Sequence, residues 1–377
     1  MRRSLLALAA LMVTGAFLAA GCGTQFPLPT ETRQGREVPS DHSYQMVATW
    51  SSMNGVADIL LTQGPGTQLF MLFQVPGIGT APRGAVYGFA LKARPPVPTP
   101  LPGIDFRGLF NPHALCAGAG SVFVLDQGDT ALARDQVAGR VSDLSLYWRV
   151  RQYGLLGGDT TCTFTDTSFA SVQGIAADDQ GRVYVSGSAI VLVPDPQDSH
   201  ITTRLLQFRI ARYRPVAGSH DPYMPGTDRW VRDLNYVVDE GTGVGTVIDP
   251  RGIYWVTGSA PGGSAVLAAD YGKDWAQKLS DVMSSTAFFQ IDNAQDSVLD
   301  RPEDVAADLA GFIYIADTGN GRVLRYDPFG AFVQRVNVEL DSDHAALVNP
   351  VAVAADDSLV YVADRAAAKV IRYQRRK

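Results

Sequence analysis

The chain has 377 residues, 46% of them hydrophobic and 19% charged, with a formal net charge of -6. This composition excludes a disordered or collagen-like chain and suffices for a sizeable core. The acidic balance gives no footprint for nucleic acid, which calls for a basic face; the basic run Arg375-Arg376-Lys377 reads as a solvated chain end.

In chain order, Arg2 and Arg3 precede an uncharged, largely apolar run from Ser4 to Ala20, and small residues then lead to Cys22. A positive start, an apolar middle and a small-residue end make a processed signal, not a packed element, and the run is short for a bilayer span. Leu18-Ala19-Ala20-Gly21-Cys22 resembles the lipobox of bacterial lipoproteins, with the leucine one position further from the cysteine than in its commonest form. The resemblance implies that residues 1–21 are removed and that Cys22 is acylated, as by palmitate. It implies a membrane anchor at the cell envelope, on the periplasmic side of the outer membrane or at the cell surface. The alternative is an ordinary secretory signal cut near Gly21. Residues 22–43 are rich in Pro, Thr, Gln and charge, without hydrophobic period, and are expected to be a flexible tether reaching on the order of 25 Å. A single domain is expected over 44–377.

Tyr44 to Trp50, YQMVATW, alternates like a strand. Six similar units follow. They begin with GVADILLTQGPGTQLFMLFQV (55–75), NPHALCAGAGSVFVLD (111–126), VQGIAADDQGRVYV (172–185), VGTVIDPRGIYWV (244–256), RPEDVAADLAGFIYIADTGNGRVLRYDPFG (301–330) and NPVAVAADDSLVYVADRAAAKVIRYQ (349–374). Each places β-branched and aromatic residues between Asp, Gly and Pro turns, which are strand and turn signals. Four short strands per unit are what a propeller blade requires. In the fourth unit, PRG reads as the turn between its first two strands, and residues 274–284 are the best helix candidate. Within one repeat unit, Cys116 and Cys162 can pair in an oxidising compartment, two unpaired thiols being the other reading.

The pattern from Pro302 to Asp327, P-x-x-V-A-x-D…G-x-I-Y-I-A-D-T-G-N-x-R-V, resembles the NHL repeat, a family of propeller blades. Gly321 stands where that family has histidine, and Arg365-Ala366-Ala367-Ala368 replaces the polar T-G-N-x loop in a degraded last copy. The resemblance implies an all-β fold: a six-bladed β-propeller of four-stranded antiparallel blades. The last unit holds only three strands, so Tyr44 to Trp50 is expected to complete it and close the ring, because an open blade would expose an edge.

With blade strands named a to d outward from the channel, b–c and d–a loops emerge at one end and a–b and c–d loops at the other. The long stretches 129–143 and 187–204 read as b–c, and 155–171, 214–243, 283–300 and 340–348 as d–a, which places every long loop at one end. Loops lengthened on one side of a repeat array mark a binding surface. The inner strands start at that end with His113, Gln173, Glu303, Asp304 and Asn349, a candidate polar ring for a ligand. Similar propellers include metal-dependent lyases and lactonase-like hydrolases, which implies a Ca or Zn alternative in the channel. Of the five histidines only His113 starts an inner strand, and the fourth unit offers only Gly245 and Thr246, whereas catalytic zinc takes three protein ligands. No catalytic residue is identified. Asp178, Asp249, Asp308 and Asp356 read as turn caps. The expected function is an envelope scaffold that binds a protein, peptide or glycan through the long-loop end.

Overall fold

Val183, Tyr184 and Val185 are consecutive and each is fully buried. A strand buries successive residues only when both of its faces are covered, and the architecture of the computed structural model supplies both covers. It describes residues 44–376 apart from 63–66, 75–83, 94, 96, 128–147, 167, 195–201, 222–223, 258–262, 281–286, 292–297 and 337–346.

The fold is all-β. After β1 (Tyr44–Trp50), the first blade consists of β2 (Val56–Leu61), β3 (Leu69–Gln74), β4 (Gly84–Phe89) and β5 (Pro100–Phe106). The second holds β6 (Pro112–Gly118), β7 (Ser121–Gln127), β8 (Trp148–Gly154) and β9 (Gly157–Phe164). β10 (Phe169–Ala177), β11 (Val183–Pro194), β12 (Thr202–Asp221) and β13 (Met224–Asp239) build the third. β14 (Pro250–Val256), β15 (Ala265–Asp270), β16 (Trp275–Ser280) and β17 (Ala287–Gln290) build the fourth. The fifth is β18 (Pro302–Ala307), β19 (Ile313–Asp317), β20 (Arg322–Tyr326) and β21 (Phe332–Arg335). The last is β22 (Pro350–Ala355), β23 (Leu359–Asp364) and β24 (Lys369–Arg375), completed by β1. Neighbouring strands within a blade are antiparallel; a short parallel contact of Asp105 and Phe106 with Gly157 and Gly158 joins the first two blades at their rims.

The ring closes as expected. β1 runs antiparallel to β24 from Tyr44↔Arg375 to Trp50↔Val370. Six apolar clusters fill the spaces between successive blades, the one between last and first included. Alternation along a strand sends successive side chains to opposite neighbours: Ile313 and Ile315 pack toward the fourth blade, Tyr314 toward the sixth. The inner strands approach closely enough to demand glycine. A Cβ on Gly174 would lie 2.2 Å from the Arg251 carbonyl oxygen, and one on Gly252 would lie 2.5 Å from the Asp304 Cα.

Buried polar contacts explain the repeat pattern. Asp308 accepts the Phe312 N–H (2.9 Å) across the a–b turn and the Tyr314 hydroxyl (2.9 Å), while Arg325 Nε donates to that hydroxyl (3.1 Å). The Tyr44 hydroxyl bonds to the same Tyr314 oxygen at 2.9 Å, so β1 is tied to the fifth blade as well as the sixth. The aspartate ending strand b has a second role: Asp317 accepts the Asp300 N–H (2.7 Å) and pairs with Arg322 (2.6 Å), pinning the d–a connection.

Four expectations are corrected. In the fourth blade the a strand is Pro250–Val256, not the preceding VGTVID; prolines also open the a strands at Pro112, Pro302 and Pro350, a first-strand position where no ladder N–H is lost. Asp249 therefore precedes the a strand, while Asp178, Asp308 and Asp356 do accept turn N–H groups. The helix candidate at 274–284 contains strand β16; Ala276, Gln277, Lys278 and Leu279 are all buried, as an inter-blade strand requires and an amphipathic helix forbids. Long connections occur at both ends: Asp221 pairs Met224 in a c–d hairpin, so most of 214–243 extends from the end opposite to that expected, and 155–156 is likewise a c–d turn. The described parts of 187–204 do extend β11 and β12 at the b–c end; 129–143 lies outside the described residues.

The disulfide is the fourth. Cys116 faces Phe123, Phe123 faces Gln152, and Gln152 faces Cys162. The cysteines thus occupy the innermost and outermost strands of one blade, three strand spacings or about 14 Å apart, beyond the reach of a disulfide. Cys116 is a buried free thiol. Thermal melting is expected to be the same with and without dithiothreitol; a drop of several degrees on reduction would contradict this register.

Candidate functional site

The inner edges of the a strands line an axial cavity of about 880 Å³. At the end where the a strands begin, here the upper mouth, Ala57, His113, Arg251, Glu303 and Val351, each the second residue of its strand, and Gln173, the fifth of the longer β10, are all on the cavity wall. Gln74, Gln127 and Arg365, at or just beyond the ends of b strands, form a second tier. The expected residues His113, Gln173 and Glu303 are thus brought together. Arg251 joins them from the strand whose start was misplaced, where Gly245 and Thr246 had been expected. Asn349 is not on the cavity wall; its backbone N–H is held by Asp364 (3.1 Å) and its carbonyl by the Arg365 N–H (3.1 Å).

His113 sits within a set of amides. Its Nε2 lies 2.7 Å from Gln127 Oε1, and its Nδ1 lies 3.2 Å from Gln74 Nε2, which also donates to the Pro112 carbonyl (2.8 Å). A neutral ring protonated at Nε2 satisfies these two contacts and leaves Asn111 Nδ2, 3.3 Å from Nε2, with no acceptor there. Burial lowers its pKa, against the Gln127 hydrogen bond and the Asp126 charge, which raise it. Arg251 bridges Asp249 (3.3 Å) and Glu303 (3.2 Å) and lies 3.4 Å over the Tyr271 ring. Gln173 differs from both: its Oε1 is buried and receives no hydrogen bond. Unsatisfied buried acceptors are rare in folded proteins and mark places where another donor is expected.

Asp304 reaches the cavity but serves the frame. Its carboxylate accepts the Val353 N–H (2.8 Å) of the next a strand, as Asp58 accepts the N–H groups of Leu115 (2.7 Å) and Ile59 (2.7 Å). Burial pushes Asp58 up to about 7 and raises Asp304 well above the usual carboxylate range, with the Asp58 charge adding to the rise. Asp304 therefore favours the neutral form. Among the described residues no three His, Cys, Asp or Glu side chains converge in a metal-binding arrangement. The arrangement is suited to holding a polar organic ligand by hydrogen bonds and one or two charges.

No protein-family model matches the chain, and no curated protein matches its sequence. Similar solved structures include a catalytically inactive variant of virginiamycin B lyase from Staphylococcus aureus with quinupristin (10% identity, TM-score 0.44, 88% of this chain and 99% of that one). The PQQ-bound aldose sugar dehydrogenase of Streptomyces coelicolor is similar at 14% identity and TM-score 0.47, over 89% of this chain and 99% of that one. A protein of unknown function from Bacteroides caccae is similar at 11% identity and TM-score 0.43, over 79% and 82%. No residue role is carried over from any of them.

Proposed function

We propose that the protein is a lipid-anchored envelope scaffold with NHL-like blades that binds a protein segment, peptide or glycan in the upper mouth of its channel. The observation that carries this reading is the convergence of His113, Gln173, Arg251 and Glu303 on the wall of a cavity of about 880 Å³. A cavity of that size encloses a ligand of a few sugar or amino-acid units, and convergent amide, guanidinium and carboxylate groups supply orientation. The anchor is assigned to Cys22, which lies outside the described residues.

Two measurements test the parts separately. Cys22→Ala is expected to move the protein from the membrane to the soluble fraction and to abolish lipid labelling; a labelled, membrane-bound variant would remove the anchor from the account. Gln173→Ala and Arg251→Ala are expected to weaken retention on glycan or peptide arrays at least tenfold. Leu309→Ala at the lower mouth should leave it unchanged, and the reverse pattern would contradict the reading.

A further inference from the structure

The third blade lacks the residue that ends strand b in its neighbours. In four blades strand b stops at an aspartate paired with the proline that opens strand a: Asp126 with Pro112, Asp270 with Pro250, Asp317 with Pro302 and Asp364 with Pro350. Each of these carboxylates accepts a backbone N–H from the chain leading into strand a. In the third blade Gly187 takes that place, three residues after Tyr184, as Asp317 stands three after Tyr314. No side chain fits there, because a Cβ would lie 2.1 Å from the Ser171 carbonyl oxygen of β10. Without the aspartate β11 runs on. β10 pairs with it as far as Phe169↔Ala189, and β12 as far as Pro194↔Thr202. Beyond Ala189 the two strands form a ribbon at the upper end.

The inner edge of this ribbon is open. The Ile190 N–H donates to the Ser168 carbonyl at 2.6 Å. Backbone groups alternate in direction along a strand, so the Leu192 N–H and carbonyl also point inward, and no described residue meets them. Pro194 holds the next inward position, where its missing N–H removes no ladder bond. The inner neighbour of strand b is strand a, which lines the channel, so the open edge is on the channel side. Gln173 follows Val172, the partner of Gly187, and so lies roughly 10 Å below Ile190 along the strand. Cross-strand pairing sets Ile190, Leu192 and Leu206 on one face of the ribbon and Val191, Val193 and Leu205 on the other. Leu192 is 59% exposed and Leu206 64%. Strand edges are commonly guarded by charge or cover; this one combines open ladder positions with exposed apolar side chains.

Resting on the binding role of the upper mouth, we infer that the partner is a protein segment that adds as an extended strand to the inner edge of β11, along Ile190 to Pro194, and continues down to the mouth. A polypeptide presents N–H and carbonyl groups at the strand repeat and a glycan does not, which separates the two ligand classes. The segment is a run of consecutive apolar residues, because its alternate side chains lie beside Leu192 on one face and beside Val191 and Val193 on the other. A second copy of the chain is the poorer match, since its own open edge faces its own channel.

Retention of the protein on short synthetic peptides, each a run of Val, Ile, Leu or Phe between lysines, is the test. The wild type is expected to retain the plain peptides and to lose those N-methylated at alternate residues in one register only, since an edge strand turns every second N–H to its partner. Leu192→Pro removes the inward N–H and leaves the β12 ladder intact. It should weaken retention roughly tenfold, the worth of one or two ladder bonds, and Leu192→Ala, which keeps the N–H, should weaken it less. Leu206→Pro makes the same change on the outer edge and should leave retention unaltered. Retention insensitive to N-methylation in both registers, or to Leu192→Pro, overturns the strand pairing. Loss in Leu206→Pro alone overturns the choice of edge. Failure of the wild type to retain any plain peptide overturns the peptide assignment; glycan retention removed by Gln173→Ala with Arg251→Ala would then leave the mouth standing. Peptide retention lost in Leu192→Pro and kept in that pair upholds the strand and overturns the mouth reading. A wild type that sediments as a dimer, made monomeric by Leu192→Pro, assigns the edge to a second copy and overturns the inference.

Discussion

Deleting residues 44–50 is expected to abolish the soluble, cooperatively melting domain. β1 supplies the outer strand of the sixth blade along the whole of β24, so its loss leaves an unpaired edge, a template for intermolecular pairing. The strand also contributes Trp50, fully buried against Tyr361 at 5.9 Å between ring centroids, with its indole N–H on the Ala93 carbonyl (3.3 Å). It contributes Tyr44, which reaches the Tyr314–Asp308–Arg325 network. A milder variant separates packing from pairing. Trp50→Ala keeps the backbone ladder and removes the side chain, a change that costs about 3–5 kcal/mol in a packed core. It should lower the melting temperature by roughly 10 °C. Removing 23–43 alone should leave melting unchanged. Unchanged melting after deletion of 44–50 would show that the ring closes in some other way.

Stability is expected to fall between pH 5 and pH 8, and Asp58 to be a principal cause. Its pKa in the fold, about 7, lies above its value of 3.8 in an unfolded chain, so the fold binds a proton that the unfolded chain has released. A raised carboxyl contributes stability that is full below about 3.8, is lost as pH rises toward and through 7, and changes little above that. Asp270, also held near 7 by burial, and Asp304, raised well above the usual carboxylate range, act in the same direction. Asp58→Ala should be destabilising at low pH, where the wild-type carboxyl is protonated, by about 2–4 kcal/mol, because it strips the acceptors from two buried N–H groups, and less so as pH rises toward 8. It should also narrow the difference between urea midpoints at pH 5 and pH 8, both by removing its own titration and by relieving Asp304 of a neighbouring charge. An Asp58→Ala protein with the full wild-type pH dependence would contradict this.

The blades were legible wherever local chemistry and tertiary role coincide. Asp308, Tyr314 and Arg325 have counterparts in Asp356, Tyr361 and Arg372 at nearly the same spacing because each set lies in one blade, and an alternating segment ahead of the first unit needed an edge to pair with. The fourth blade misled because Asp249-Pro250 was read as part of a turn, although Asn111-Pro112, Arg301-Pro302 and Asn349-Pro350 carry the same signal for an a-strand start. That one shift concealed Arg251. The disulfide and the loop faces failed for a related reason: both depend on which strand of a blade a residue occupies, which spacing along the chain does not specify. Arg365 was visible as a departure from the repeat, but its meaning is not local. Its surroundings come from other strands: Val351 and Ala57 line the same cavity, and the buried carboxyl of Asp58 feels its charge.

The central claim is that ligand engagement occurs at the upper mouth, whatever the chemistry of the ligand. Saccharide and peptide array retention of the wild type, of Gln173→Ala with Arg251→Ala, and of the lower-mouth variant Leu309→Ala with Arg182→Ala tests it most directly. The account predicts specific retention that is lost in the first pair and kept in the second. Retention kept in the first pair and lost in the second, both variants being folded by circular dichroism, would contradict it.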